Sequence, residues 1–215
     1  MCSIHSVSVY SWIHRGFLAV TEKVLRRKGK KPGTQEKRGR FNVKKTIKDR
    51  PQEVEKRETF GHWELDTMVS SRGQSKGCLA TFVERKTRFY VAMKMDDRTK
   101  DSMFLAISSL YNTLTSKLLK TFTVDRGKKF ACFEQVETEF GIPMYFADAY
   151  AAWQRGSNEN SNGLLREFFP KKTDLAKVTL DKLTEALVLI NNRPRKCLGF
   201  KTPFDMFKHE IRKLI

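Results

Sequence analysis

The chain has 215 residues, with 42 Lys and Arg against 24 Asp and Glu, which leaves a net charge of +18 at neutral pH. Its 40% hydrophobic content, including 16 Phe, is enough to bury a core, so wholesale disorder is excluded and the excess charge belongs on a folded surface. A membrane-spanning helix is excluded as well, because apolar runs such as Ala186 to Ile190 fall far short of the roughly 20 residues that a bilayer requires.

Near the N-terminus, His5, Ser6, Ser8, Ser11 and His14 interrupt the one candidate stretch for an export signal. Cys2, Cys78, Cys132 and Cys197 lie far apart without a C-x-x-C pair, and only His5, His14, His62 and His209 are available to join them on zinc. The expectation is reduced thiols in a cytoplasmic protein without a zinc site.

Residues 1–60 hold 16 Lys and Arg against 6 acids, and 13 of those bases fall between Lys23 and Arg50, where apolar periodicity is almost absent. That segment, with Arg26, Arg27, Lys28, Lys30 and Lys31 at its densest part, is predicted to be a basic arm that gains affinity for a polyanion by releasing counterions. From Gly61 the pattern changes to short apolar runs alternating with helical ones, so a boundary near residue 60 and an α/β domain over 61–215 are expected.

His62 to Ser70 alternates as a strand requires, with Trp63, Leu65, Thr67 and Val69 on one face and His62, Glu64, Asp66 and Met68 on the other. Cys78 to Val83 and Phe89 to Met95, joined by a polar turn, complete three antiparallel strands. Lys100 to Leu119 carries Met103, Phe104, Ile107, Leu110, Tyr111 and Leu114 at helical spacing. Thr121 to Val124 is a fourth strand that ends at Asp125-Arg126-Gly127. A helix over Phe130 to Phe140 closes at Gly141, and Met144 to Phe146 is a fifth strand. A helix from about Gly156 stops at Pro170, another spans Leu180 to Asn191, and a last one follows Pro203.

Three carboxylates are placed to converge: Asp66 in the middle of the first strand, Asp125 at the end of the fourth, and Glu159 in the first turn of the later helix. Clustered acids repel unless a divalent cation neutralises them, and hard oxygen ligands suit magnesium or manganese. Two such ions can activate an attacking oxygen and stabilise a leaving one at a phosphodiester. Taken singly, each acid also has a structural reading, as a helix N-terminal acid, a turn residue or a solvent-facing strand residue. Glu64 and Asp148 are rival ligands, and spacing alone does not choose among them.

The segments GHWELDTMVSS, LATFVERKTRF, TVDRGKKF, YFADAYAAWQRGSNENSNGLLREFFPKKTDL and NNRPRKCLGFKTP resemble, in order, the motif blocks of DDE transposases of the insertion-sequence-thirty family. The resemblance covers roughly residues 20–207. It implies a ribonuclease-H-like fold, a five-stranded mixed sheet whose first three strands are antiparallel, flanked by helices. It also implies metal-dependent DNA cleavage and strand transfer in a prokaryotic cytoplasm, with association to the nucleoid when bound to DNA. Carried over motif by motif, the triad falls on Asp66 in W-E-L-D, Asp125 in V-D-R-G and Glu159 in S-N-E-N, 59 and 34 residues apart. These three are expected to hold two Mg²⁺ or Mn²⁺ ions. The implied partners are the ends of the element, the target DNA and at least one further copy of the chain.

Trp153, Arg155, Asn158, Asn160 and Asn162 form a polar and aromatic cluster around Glu159, suited either to stacking and reading a frayed base or to capping and gap filling. Arg155, Asn158, Asn160, Lys171 and Lys172 are the expected DNA contacts on the domain, and Asn191 to Lys196 is either a DNA-contacting loop or a solvated turn. Two departures from the family pattern stand out, Lys129 where many of its members carry Glu and Ala151 where many carry Ser. Val7 to Gly16 resembles only the last helix of the helix-turn-helix region that precedes such domains. An N-terminally shortened copy is therefore expected, and the alternative function is a non-catalytic DNA-binding remnant that modulates an intact transposase.

Overall fold

The computed structural model describes residues 6–20, 44–70, 75, 77–148 and 151–214. Arg26, Arg27, Lys28, Lys30 and Lys31 lie outside the described residues. The chain divides into two compact units, Met1–Arg38 and Gly39–Ile215. In the first, helix α1 (Ser6–His14) agrees with the helix expected over Val7 to Gly16.

The second unit begins at Gly39 rather than at the Gly61 boundary expected from composition. Thr46 bridges to Phe146 in parallel, and the Asp49 carboxylate accepts from the Thr46 N–H (2.7 Å) and hydroxyl (2.9 Å), closing a 3-10 turn over Ile47–Asp49. Helix α2 (Gln52–Lys56) then buries Val54 completely. Two apolar anchors, Val54 and Phe60, are thus hidden among charges, and they convert the end of the expected arm into part of the core.

Five strands form one sheet: β1 (His62–Val69), β2 (Cys78–Glu84), β3 (Tyr90–Met95), β4 (Thr121–Val124) and β5 (Met144–Phe146), in the order β3-β2-β1-β4-β5. β1, β2 and β3 pair antiparallel, whereas β4 and β5 join parallel to β1 and to each other. This is the mixed sheet implied by the resemblance. Helices α3 (Lys100–Thr113), α4 (Phe133–Phe140), α5 (Gly156–Phe168), α6 (Leu180–Asn191) and α7 (Pro203–Arg212) flank it.

The alternation of β1 sorts these layers. Trp63 and Leu65 enter one core with Phe82, Phe122 and Val124 of the sheet, Met103, Ile107 and Leu110 of α3, Val136 of α4 and Phe207 of α7. Met68 enters the other with Leu79, Val83, Leu164 and Leu165 of α5, and Leu183 and Ile190 of α6. Each fully buried Leu, Phe or Met contributes roughly 1.5–3 kcal/mol, so both faces of β1 are strongly specified. α3 stops at Thr113 instead of Leu119, because the chain forms a separate 3-10 turn over Ser116–Leu118 whose Leu118 carbonyl accepts from the Trp63 indole N–H at 2.9 Å. On the open edge of the sheet, the Asn191 side-chain amide acts as a one-residue strand, accepting from the Tyr90 N–H (2.9 Å) and donating to its carbonyl (2.8 Å). Asn191 is therefore structural, and the expected basic loop begins only after it. Among the described residues no helix is long and apolar enough to cross a membrane.

Candidate active site

Strand register brings the first two acids together. The parallel ladder between β1 and β4 pairs His62 with Thr121, Trp63 with Phe122 and Glu64 with Thr123. Continued by two residues, it sets Asp125 beside Asp66 just where β4 leaves the sheet, and neighbouring strands stand only about 4.8 Å apart. Gly127 lies close against the end of the exit. Its N–H donates to Asp125 Oδ1 at 2.9 Å, and a Cβ at this position would lie 2.7 Å from the same oxygen.

One ammonium joins the pair. Lys129 Nζ donates to Asp66 Oδ1 (2.8 Å) and to Asp125 Oδ2 (3.0 Å), and the Lys129 side chain is 1% exposed. Arg155 reinforces it, with Nη1 at 3.1 Å from Asp66 Oδ2 and Nη2 at 3.8 Å from Asp125 Oδ2. Burial alone would raise the Asp66 carboxyl, but the Lys129 and Arg155 charges and the Lys129 and Thr67 hydrogen bonds hold it below its ordinary value. The two carboxylates thus hold one cationic group between them, the Lys129 ammonium. Among the described residues, no three His, Cys, Asp or Glu side chains gather closely enough to share one ion.

Glu159 is exposed, and its carboxylate makes no ion pair or hydrogen bond among the described residues. Its helix nevertheless packs beside β1, the strand that carries Asp66. Arg155, which precedes α5, touches both aspartates, and Arg166, two turns along on the same helix face as Glu159, donates from Nη2 to the Val69 carbonyl at the end of β1.

The rival acids have other partners. Glu64 is fully buried, accepts from Arg85 Nη1 and receives the Asn158 N–H at 2.9 Å, so it anchors the first turn of α5. Asp148 accepts from Gln154 Nε2 (3.0 Å) and faces Arg126. Asn158, an expected DNA contact, is 0% exposed, and its amide is bonded to the Glu64 and Thr81 carbonyls and the Thr81 hydroxyl. It satisfies a buried carboxylate and strand backbone, and is not available to a nucleic acid. Asn162 accepts from the Tyr90 hydroxyl at 2.7 Å. Arg155 is committed to the aspartates, whereas Asn160, Lys171 and Lys172 are exposed. Trp153 is 77% exposed, which excludes the gap-filling reading.

A feature that sequence reasoning missed is a cleft of about 420 Å³ beside the N-terminus of α5, where Arg57, Arg88 and Arg195 meet Ser157, Asn160 and Ser161. These arginines come from three distant segments. Burial lowers the Arg88 guanidinium from its ordinary value, and the neighbouring Arg57 charge lowers it further. Repulsion of this kind is what an anionic ligand relieves.

Residues 56–152 match the integrase core domain family. The chain is 36% identical over 187 residues to the transposase InsI for insertion sequence element IS30C of Escherichia coli, covering 86% of this chain and 48% of that protein. It is 35% identical over 218 residues to the transposase for insertion sequence element IS4351 of Bacteroides fragilis, covering 96% and 64%. The chain thus spans about half to two thirds of the length of these relatives. Among solved structures, the catalytic core domain of BIV integrase superposes with a TM-score of 0.57 at 20% identity, over 73% of this chain and 100% of that one. The HTLV-2 integrase catalytic core domain in complex with magnesium gives a TM-score of 0.52 at 19% identity, over 67% and 94%. These likenesses and the strand order give the fold as ribonuclease-H-like, and over most of its length the chain is similar to transposases of insertion sequence elements.

Proposed function

We propose that this chain carries the catalytic core of a transposase that cleaves the ends of a mobile DNA element and joins them to target DNA. The observation that carries the reading is the convergence of Asp66 and Asp125, from adjacent parallel strands, on one cation position beside the helix that bears Glu159. Similarity to transposases of insertion sequence elements supports the same chemistry.

In this reading Asp66, Asp125 and Glu159 would together hold two divalent ions, magnesium or manganese. Ions held there would act as Lewis acids, polarising the scissile phosphate and easing departure of the leaving oxygen. The chain itself positions and neutralises. Glu64 and Arg85 fix the first turn of α5 and with it the placement of Glu159. Arg155 changes partner from aspartate to DNA phosphate when the pair is loaded. Trp153 offers an exposed ring for a frayed base, and the arginine cleft takes a backbone phosphate at the other side of the helix terminus. Water attacks first, and the freed 3′-hydroxyl then attacks a target phosphodiester in line, with no covalent enzyme intermediate.

Lys171, Lys172 and Asn160, with Arg26, Arg27, Lys28, Lys30 and Lys31 of the basic segment, extend the DNA contact. Two element ends act together through a dimer or larger assembly of the chain. The test replaces Asp66 or Glu159 by Ala or Gln and follows manganese-dependent joining of labelled element ends. Loss of joining in each variant is expected, and undiminished joining refutes the assignment.

A further inference from the structure

We propose that Lys129 is the resident counter-ion of the aspartate pair: its ammonium holds the position a divalent ion requires and so sets the ion concentration at which the site loads. This rests on the reading of Asp66 and Asp125 as the cation-holding pair.

The geometry is that of an internal ion rather than of a surface base. Nζ makes bonds of 2.8 and 3.0 Å to the two carboxylates, and Lys129 is 2% exposed. A side chain so enclosed does not reach a DNA phosphate outside the site. Its backbone is fixed, and a ring lies beside the ammonium. The Phe130 N–H donates to the Gly127 carbonyl at 2.9 Å, fixing a 3-10 turn over Lys128–Phe130, and the Phe130 ring is fully buried 4.9 Å from the ammonium.

Charge and size lead to the same conclusion. Two carboxylates face one ammonium and one guanidinium, so the cluster is neutral and attracts a divalent ion little while both cations remain. Magnesium and calcium bind oxygen at about 2.0–2.6 Å, and such an ion has no room between the aspartates while Nζ is there. Loading therefore exchanges the ammonium for the ion, and the flexible four-carbon stem of a lysine permits Nζ to swing aside. An ammonium that has moved only about 5 Å still weakens a divalent ion by about tenfold, even with the screening of bulk water.

The experiment measures manganese binding to the purified chain without DNA, from the loss of the free Mn²⁺ paramagnetic resonance signal. It compares the wild type with Lys129→Gln, Lys129→Met, Lys129→Arg, Asp66→Asn and the double variant Lys129→Gln with Asp66→Asn. The two uncharged replacements, one polar and one keeping the apolar stem, are expected to bind manganese at least tenfold more tightly, Lys129→Arg is expected to bind as weakly as the wild type, and Asp66→Asn is expected to cancel the gain. Circular dichroism identifies which variants fold, and either uncharged replacement suffices. Equal affinity in the wild type and a folded uncharged variant overturns the lysine proposal. If Asp66→Asn then still lowers affinity, the carboxylate reading survives alone. If it changes nothing in either background, both fall.

Discussion

Replacing Glu64 by Ala tests whether this buried acid, rather than a metal ligand, is the anchor of the site. Glu64 is 0% exposed and Arg85 3%, and they are ion-paired, so removing the carboxylate leaves a guanidinium buried without its counter-charge. Burial already lowers the Arg85 guanidinium to about 10 in spite of the Glu64 charge, with Arg50, Arg57 and Arg88 adding to the strain. Breaking a pair of this kind costs about 3–5 kcal/mol, and the Asn158 N–H loses its acceptor as well. Substituting both partners by apolar residues, Glu64→Leu with Arg85→Met, leaves no bare charge. Its cost is expected to fall at least about 2 kcal/mol below the sum of the single costs. Urea denaturation followed by circular dichroism gives all the values. A cost below about 1 kcal/mol for Glu64→Ala, or an additive double variant, refutes the anchoring role.

Gly127→Ala pushes a Cβ to 2.7 Å from Asp125 Oδ1. The expected cost is about 1–3 kcal/mol by thermal melting, together with weakened manganese-dependent joining, and a variant that melts like the wild type contradicts the close approach. His62 is 2% exposed, and burial lowers its imidazole to about 4, so the folded protein keeps it neutral while the unfolded chain titrates near 6.5. Its stabilising contribution is complete above pH 6.5 and is lost as pH falls towards 4, up to roughly 3 kcal/mol in all. A His62→Gln variant whose denaturation midpoints fall with acid as steeply as those of the wild type removes that explanation. Trp153→Ala is expected to weaken binding of single-stranded or frayed DNA by about 1–3 kcal/mol with stability unchanged, measured by fluorescence anisotropy.

Much of the fold was legible in the sequence because its signals are local. Thr121 to Val124, Met144 to Phe146 and Leu180 to Asn191 are bounded by turn residues and a threonine cap, and the elements begin and end where the chain says. The misread segments depend on distant partners. The charge pattern of residues 44–60 resembles an arm until β5 and the core accept Thr46 and Val54. The expected long helix ends early because an indole 55 residues away claims the Leu118 carbonyl.

The site divides in the same way. Asp66 and Asp125 are visible in their motifs, but Glu64 shares a strand face with Asp66, and nothing local tells them apart. The distinction comes from Arg85 and Asn158, 21 and 94 residues away. Asn158 looks like a polar surface residue and is buried because it satisfies that same carboxylate. The Lys129 contact with Asp66 spans 63 residues and exists only because β1 and β4 are neighbours.

The most direct test of the central claim is anomalous diffraction from manganese-soaked crystals of the Lys129→Gln chain. The account predicts a manganese peak between the Asp66 and Asp125 carboxylates, with Glu159 turned towards it. Well-ordered aspartates with no peak between them at saturating manganese contradict it.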